Sequence, residues 1–381
     1  MQGNRIDFVN TLRGFAALAV VIAHYTGNFW SMRTAVASLT NAPELPSETY
    51  AWPSYLVWLH AFPLFNWGAF GVAIFFIISG FVIPLSLQKM TFHGFLLSRI
   101  IRIIPTYIIG FTITLTAILI SSKYFSVEWP FNNKEILIHY IPGIRDLLYS
   151  RSIDGIIWTL EIEMKFYLIC AILIAVFRKH SIKVFITPLI LFLFALYVNK
   201  VAPEWINSNI SAFHLAMAYM FFSQYIIYMF IGTMFYYMYC GYINANKAYL
   251  GIGILFILFC ILWWAGPYSA SINVAWNYAF ALLVFAFAYA HPKLFKSNRF
   301  FDFFANISYP LYIIHGVAGY VALRILLEMG FKAWVSLLIV TFSIIFSSWL
   351  IHILIESPSQ RAGKRLVAKR GRPLKKTAQP T

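Results

Sequence analysis

Arg13 and His24 are two ionisable residues in the first long apolar stretch of the sequence. They are eleven residues apart. Eleven steps of about 100° bring both side chains to within ~20° of one helix face, about 16 Å apart along the axis. Ionisable groups inside apolar segments are costly and commonly mark function. The alternative is that Arg13 extends to lipid headgroups and His24 caps the end of the helix.

A second group of charges lies in the segment from Trp158 to Tyr167, which contains Glu161, Glu163 and Lys165. The two glutamates are two residues apart and cannot share a helix face, so one is expected to face the neighbouring helices and the other the rim. Lys165 follows Glu161 by four residues, a spacing that predicts an ion pair. These residues alone leave open which glutamate is functional.

A late apolar segment contains Tyr309, Tyr312 and His315 at three-residue intervals, with Ser308 beside them. This spacing places successive members on one helix face. The alternative to a functional cluster is an aromatic packing stripe with a hydrogen-bonded histidine. Glu356 marks the end of the last apolar segment.

Arg99 and Arg102 are three residues apart, ahead of Pro105. Paired guanidinium groups suit phosphate oxygens because their donors form a rigid fork. The alternative is ordinary anchoring of a membrane protein by basic residues.

The elements that must position these residues are apolar helices. The chain of 381 residues is 61% hydrophobic and 11% charged, whereas soluble domains are about a quarter charged. A membrane span needs about 20 mostly apolar residues. This predicts an all-α polytopic transmembrane bundle over residues 1–356, in which the segment 51–65, with Pro53 and Pro63, is interfacial or re-entrant. Ten spans are predicted, at 8–26, 68–87, 103–122, 156–177, 183–200, 216–240, 248–265, 273–290, 303–326 and 333–355.

The orientation of the bundle follows from the basic residues, which are concentrated in alternate connections. One set of connections and the tail carry most of them, which predicts that both termini are cytoplasmic and that the number of spans is even. His24 and Glu163 then both lie in the outer halves of their spans, at similar depth. The basic residues of that set are Lys89, Arg99, Arg102, Arg178, Lys179, Lys183, Lys247, Lys293, Lys296 and Arg299.

The net charge of +16 does not indicate nucleic-acid binding. Eight of the basic residues lie between Arg361 and Lys376, which is typical of contact with anionic lipid. Residues 357–381 are predicted to be a disordered cytoplasmic tail. Three cysteines lie in apolar runs, so no disulfide framework is expected. No cleavable signal peptide, metal site or bound cofactor is predicted.

Six short motifs occur in the order in which a known family carries them. They are Arg5-Ile-Asp7 with Leu12-Arg13-Gly14 and His24; Gly71 to Phe81; Arg99, Arg102, Pro105 and Tyr107; Trp158 to Tyr167; Ile307 to His315; and Glu356 with Pro358. The set resembles membrane acyltransferase family 3, whose members O-acylate carbohydrates and other envelope molecules. Thr159 stands where the family motif has serine and keeps the hydroxyl, and the motif position selects Glu163 rather than Glu161.

The resemblance implies an acyl-CoA donor, usually acetyl-CoA, and a hydroxyl acceptor that is often presented outside the cell. Arg99 and Arg102 would bind the donor, and Arg13 would continue this positive path inwards. His24 would act as a general base or carry the acyl group itself, since an imidazole of reference pKa about 6.5 can be neutral. Glu163 would orient His24 or bind the acceptor. Supporting roles fall to Trp158, Tyr309, Tyr312, His315 and Glu356.

The acceptor is expected to be a bacterial surface carbohydrate, such as O-antigen or exopolysaccharide, or another glycolipid or small metabolite. The enzyme is expected in the bacterial plasma membrane. The main alternative is a transporter without chemistry, which commonly shows paired internal repeats. No such repeat is present in the sequence. A structural scaffold would leave Arg13, His24 and Glu163 unexplained at a cost of several kcal/mol.

Overall fold

The structure is a computed structural model that describes residues 6–62, 64–266 and 269–370. These residues form helices and no β-strand, which confirms the predicted all-α fold. The α-helices of seven residues or more in these ranges are α1 Asp7–Ile22, α2 Arg33–Thr40, α3 Trp67–Leu87, α4 Phe92–Tyr124, α5 Asn133–His139, α6 Ile157–Ile172, α7 Ile186–Val201, α8 Ile210–Tyr239, α9 Ala245–Ala265, α10 Ala275–Ala290, α11 Arg299–Ile314, α12 Val317–Glu328, α13 Ala333–Ile351 and α14 Ser357–Arg370.

Several of these helices can cross a membrane, so the chain is a multi-pass membrane protein. α11 and α12 are long and apolar enough to span a membrane only when they are taken together, and a bend of 71° separates them. The predicted count of ten is not confirmed, because α6 and α10 have 16 residues each, or about 24 Å of helix against a hydrocarbon core of about 30 Å. In the described ranges seven helical segments are long and apolar enough: Asp7–Ser31, Trp67–Leu87, Phe92–Tyr124, Ile182–Ser208, Ile210–Tyr239, Ala245–Ala265 and Ala333–Val367.

The central pair of the bundle, α3 and α8, is packed backbone against backbone. A Cβ added to Gly80 would lie 1.8 Å from the carbonyl oxygen of Met229, and one added to Gly232 would lie 2.1 Å from that of Ile77. Small residues allow this approach between helices in a membrane. The contact fixes the depth of Ser79, which neighbours Gly80 and faces the cavity described below.

Helical irregularities occur at three of the predicted site residues. Residues Ala23–Asn28 are π-helical and contain His24. His315 ends α11 at the bend before Gly316, and Glu356 ends a second π-helical turn, His352–Glu356. Such turns are frequently found at functional sites.

The described part of the predicted disordered tail is instead the helix α14, which packs along α4. A Cβ added to Gly363 would lie 2.9 Å from Cγ2 of Ile101. The prediction of disorder is therefore wrong for residues 357–370, because an apolar contact with α4 anchors them. Residues 371–381 lie outside the described residues. The segment 51–65 has only a short helix, Ser54–Val57, and a 3-10 turn, Trp58–His60; Pro63 lies outside the described residues.

Candidate active site

A cavity of about 620 Å³ lies between α1, α3, α4, α6, α11 and the side chain of Lys364 on α14. Its lining includes residues from five of the six motifs. Four predicted site residues do not line it: Trp158, His24, His315 and Glu356. The predicted site residues that do line it are Arg13, Arg99, Arg102, Glu163, Tyr309 and Tyr312.

Basic groups dominate the charge of this cavity. Among the described residues, Arg13, Arg99, Arg102 and Lys364 line it, against the single carboxylate of Glu163. A cavity with this excess of guanidinium donors suits a ligand with several phosphate oxygens.

The guanidinium of Arg99 has hydrogen-bonding capacity to spare. Its Nη2 donates to the Ser86 hydroxyl at 3.2 Å, and its Cζ lies 5.3 Å and 5.7 Å from the ring centroids of Phe95 and Tyr167. Its Nε is buried without a partner among the described residues. This N–H is therefore a donor that a ligand in the cavity can use. Arg102 makes no direct hydrogen bond or salt bridge to the described part of the chain.

Glu163 is held at the cavity wall by two hydroxyl groups. Ser79 Oγ donates to Glu163 Oε1 at 2.9 Å, and the hydroxyl of Tyr167, one turn further along α6, donates to the same oxygen. Ser79 belongs to the motif on α3, so two motifs meet at this carboxylate.

Glu161 faces away from the cavity and is used structurally. Its carboxylate accepts hydrogen bonds from Arg145 Nε at 2.9 Å and Nη2 at 2.7 Å, and from the backbone N–H of Asp146 at 3.2 Å. The expected Lys165–Glu161 pair is wrong, since Lys165 binds Asp146 at 2.8 Å. A bidentate guanidinium contact outweighs an i, i+4 pair on one helix.

His24 lies in a separate cluster with His315 and Tyr320. Its Nδ1 is 2.6 Å from the Tyr320 hydroxyl, and its ring centroid lies 4.6 Å from that of His315. No direct hydrogen bond joins His24 to Glu163 within the described ranges, so Tyr320 is the group that orients the imidazole. Tyr320 was not among the predicted site residues, and its one sequence signal is its position one helix turn beyond the bend.

Tyr312 lies between the cavity and the cluster of His24, His315 and Tyr320. It lines the cavity, its hydroxyl lies 2.8 Å from that of Thr159, and its ring centroid lies 5.7 Å from that of His315. The predicted Tyr/His face therefore begins at the cavity wall with Tyr312 and ends at His315, whose ring packs against that of His24. The Thr159 hydroxyl, which replaces that of the family's serine, contacts Tyr312 on this face.

Tyr309 also extends from the cavity wall, and its hydroxyl donates to the carbonyl of Ile103 at 3.0 Å. This contact fixes α11 against α4, next to the arginine pair.

Two of the predicted supporting residues lie elsewhere. Trp158 packs against Phe221 and Tyr225 with ring centroids 5.6 Å and 5.4 Å away, and lines a second cleft on the other side of α6. Glu356 is buried and binds His352 Nδ1 at 2.7 Å and Gln360 Nε2 at 2.9 Å. Its carboxylate therefore joins the end of α13 to α14 and is not part of the cavity lining.

A buried polar network that the sequence analysis missed supports the start of α6. Asp154 accepts hydrogen bonds from the Tyr107 hydroxyl at 3.1 Å and from the N–H groups of Ile156 and Ile157 at 3.1 and 3.0 Å, and lies 3.4 Å from His139 Nε2. Burial raises the pKa of Asp154, but the contacts with His139 and the two N–H groups outweigh it and hold the pKa below the ordinary 3.8. An aspartate just before an apolar helix is the available sequence signal.

Comparison with known proteins agrees with this geometry. A family model described as an acyltransferase domain, that of acyltransferase family 3, matches residues 6–353. No curated protein and no solved structure matches the chain. The matched range contains every predicted site residue except Glu356, and it places the chain with acyltransferases rather than transporters. The chain therefore belongs to the membrane acyltransferase family 3.

Proposed function

We propose that this membrane acyltransferase transfers an acetyl group from cytoplasmic acetyl-CoA to a hydroxyl of a bacterial surface carbohydrate, such as O-antigen or exopolysaccharide. The observation that carries the proposal is the cavity in which Arg13, Arg99 and Arg102 meet one carboxylate, Glu163, among the lining residues that the structure describes. Coenzyme A carries a diphosphate and a further phosphate on its nucleotide, which is the type of ligand that such a cluster binds.

In this proposal the protein spans the plasma membrane ten times. The end of the cavity that contains the arginines faces the cytoplasm. Both termini then lie on the cytoplasmic side, in agreement with the basic connections. The donor enters past Arg99 and Arg102, and its pantetheine arm extends along the cavity towards Tyr312. The acceptor approaches His24 from the outer side.

His24 is the proposed catalytic group. In the direct route its Nε2 accepts the proton of the acceptor hydroxyl, while its Nδ1–H donates to the Tyr320 oxygen. The acceptor oxygen attacks the thioester carbonyl, the carbon–sulfur bond breaks, and the departing thiolate takes the proton from His24. In the relay route the His24 Nε2 attacks the thioester carbonyl, and the carbon–sulfur bond breaks to give an acyl-imidazolium and a thiolate. The acceptor hydroxyl then attacks the acyl carbon, its proton passes to the thiolate, and His24 is released as the neutral imidazole. Glu163 binds the acceptor hydroxyl or the donor amides in either route.

The decisive experiment measures transfer of radiolabelled acetyl from acetyl-CoA by purified protein in liposomes, with the glycan acetyl content of cells read by mass spectrometry. His24→Ala should abolish transfer while the protein remains inserted and folded. The matched control is His93→Ala, because His93 is exposed and outside the cavity lining.

Charge reversal at Arg99 and Arg102 should raise KM for acetyl-CoA. Survival of glycan acetylation in the His24 variant would refute the assigned mechanism, and absence of acetyl-CoA turnover by the native protein would refute the proposed donor.

A further inference from the structure

We infer that the C-terminal helix α14 is part of the donor site and that Lys364 binds a phosphate group of the acyl-CoA at the mouth of the cavity. This inference rests on the proposed function. The segment thereby gains a binding role, whereas its sequence, rich in lysine and arginine, predicts a disordered tail in contact with anionic lipid.

The position of Lys364 is the first observation. It lines the same cavity as Arg99 and Arg102. Unlike them, it is exposed, so its ammonium group lies where the cavity meets the surface. A ligand entering the cavity would pass this group before it reaches the arginines.

The packing of α14 on α4 is the second observation. A Cβ added to Gly363 would lie 2.9 Å from Cγ2 of Ile101 and 3.3 Å from its Cβ. Ile101 stands between Arg99 and Arg102 in the sequence. Only a residue without a side chain fits this contact without displacement, so Gly363 brings its neighbour Lys364 next to the arginine pair.

A second contact fixes the direction of the helix. A Cβ added to Gly94 would lie 3.5 Å from Cγ1 of Val367. α14 therefore runs along the first turns of α4 in the opposite direction, with Gly363 near Ile101 and Val367 near Gly94. The network of Glu356 with His352 and Gln360 anchors the beginning of α14. Lys364 is thus held at the mouth by a docked helix rather than by a loose tail.

The chemistry of the mouth favours phosphate over other anions. A lysine ammonium is a compact charge with three donors, which complements the fork-shaped donors of the arginines deeper in the cavity. The described residues that line the cavity include no aspartate, and their one glutamate, Glu163, is held by Ser79 and Tyr167. A polyanionic nucleotide would meet cations from the mouth inwards.

The experiment compares Lys364→Ala with Arg365→Ala in liposomes, using acetyl-CoA and the phosphate-free thioester S-acetylpantetheine as donors. Arg365 is the matched control, because it is the adjacent exposed cation and does not line the cavity. Lys364→Ala should raise KM for acetyl-CoA by roughly fivefold, the size expected for one exposed ion pair, with kcat unchanged. The effect should shrink at high salt, and Lys364→Arg should restore most of the affinity.

S-acetylpantetheine is the second donor in the experiment. Because it has no phosphate, its kcat/KM should be the same for all variants. Equal KM values for acetyl-CoA in Lys364→Ala and Arg365→Ala would overturn the inference while leaving the proposed function intact. If Lys364→Ala weakens both donors equally, Lys364 acts through the structure and the inference is also overturned. A native protein that turns over neither donor would overturn the proposed function, and the inference with it.

Discussion

Replacing each glutamate of α6 by glutamine should affect two different properties of the protein. The Glu161 side chain is 2% exposed, and its partner Arg145 is 14% exposed. Glutamine at 161 can accept only one of the two guanidinium hydrogen bonds and leaves a nearly buried cation with a neutral partner. Breaking a buried ion pair from one side costs about 3–5 kcal/mol. Since the amide retains part of the contact, we expect Glu161→Gln to lower the free energy of unfolding by about 3 kcal/mol.

Glu163→Gln should instead leave the stability of the protein nearly unchanged and lower its activity. The amide oxygen can still accept from the hydroxyls of Ser79 and Tyr167, so the free energy of unfolding should change by less than about 1 kcal/mol. The cavity, however, loses the only carboxylate among its described lining residues. A charge-assisted hydrogen bond to the substrate is worth about 1.5–3 kcal/mol, which corresponds to a loss in kcat/KM of roughly tenfold to a hundredfold.

Both variants can be compared with the native protein by thermal unfolding in detergent and by initial rates of acyl transfer per folded molecule. The expected pattern is a lower Tm with a near-native rate for Glu161→Gln, and a native Tm with a reduced rate for Glu163→Gln. A native rate for Glu163→Gln would refute the assignment of the functional carboxylate. A native Tm for Glu161→Gln would refute the structural role of its pair with Arg145.

Two further predictions concern the scaffold. Gly80→Ala should lower the free energy of unfolding by about 3 kcal/mol, because the added Cβ would lie 1.8 Å from the Met229 carbonyl oxygen. Gly253→Ala should be neutral or stabilising, because its added Cβ would meet no atom of the described residues within 4 Å. Equal Tm values for the two variants would contradict the packing argument. The pKa of Asp154 is held below its unfolded value of 3.8, so the stability it confers is complete above that pH and is lost as the pH falls through the folded pKa. Asp154→Asn should lower Tm at pH 7 and reduce the decline in Tm between pH 5 and pH 3, and an unchanged decline would show that Asp154 is not the group responsible.

The apolar helices and a shared positive path of Arg13, Arg99 and Arg102 could be predicted from the sequence, because ionisable groups in apolar helices are expected to face the interior of the bundle. Glu163 was expected at the depth of His24, but it lines the cavity of the arginines, which His24 does not. The bonding partners of the charged residues on α6 could not be predicted. Glu161 binds Arg145, sixteen residues earlier in a loop, whereas spacing along one helix suggested Lys165. Local periodicity contains no information on contacts between a helix and a distant loop.

The helix geometry assumed for Arg13 and His24 shows a second limit. The angle between them assumes one regular α-helix, but the chain becomes π-helical at Ala23. Arg13 lines the cavity and His24 does not. A π turn depends on tertiary packing rather than on residue type, so composition and spacing gave no warning of it. The docking of α14 was missed for the same reason, since it depends on Gly363 meeting Ile101.

The bend between α11 and α12 has a chemical consequence for the histidine cluster. Where a helix stops inside an apolar bundle, backbone carbonyls lose their N–H partners and must be satisfied by other donors. His315 Nδ1 lies 3.0 Å from the carbonyl of Leu311 and 2.9 Å from that of Tyr312. Because both neighbours can only accept, Nδ1 must carry the proton and donate it, and Nε2 of the neutral ring is left as an acceptor.

That acceptor is buried without a partner among the described residues, on a ring whose centroid is 4.6 Å from that of His24. The contacts at the bend therefore fix the tautomer of His315. They also leave a hydrogen-bond acceptor beside the proposed catalytic imidazole. A donor group on the substrate, or a water that carries its proton, would find its place there. The Leu311 carbonyl also accepts the backbone N–H of His315 at 3.0 Å, so the Tyr312 carbonyl is the one that depends on the imidazole at this bend.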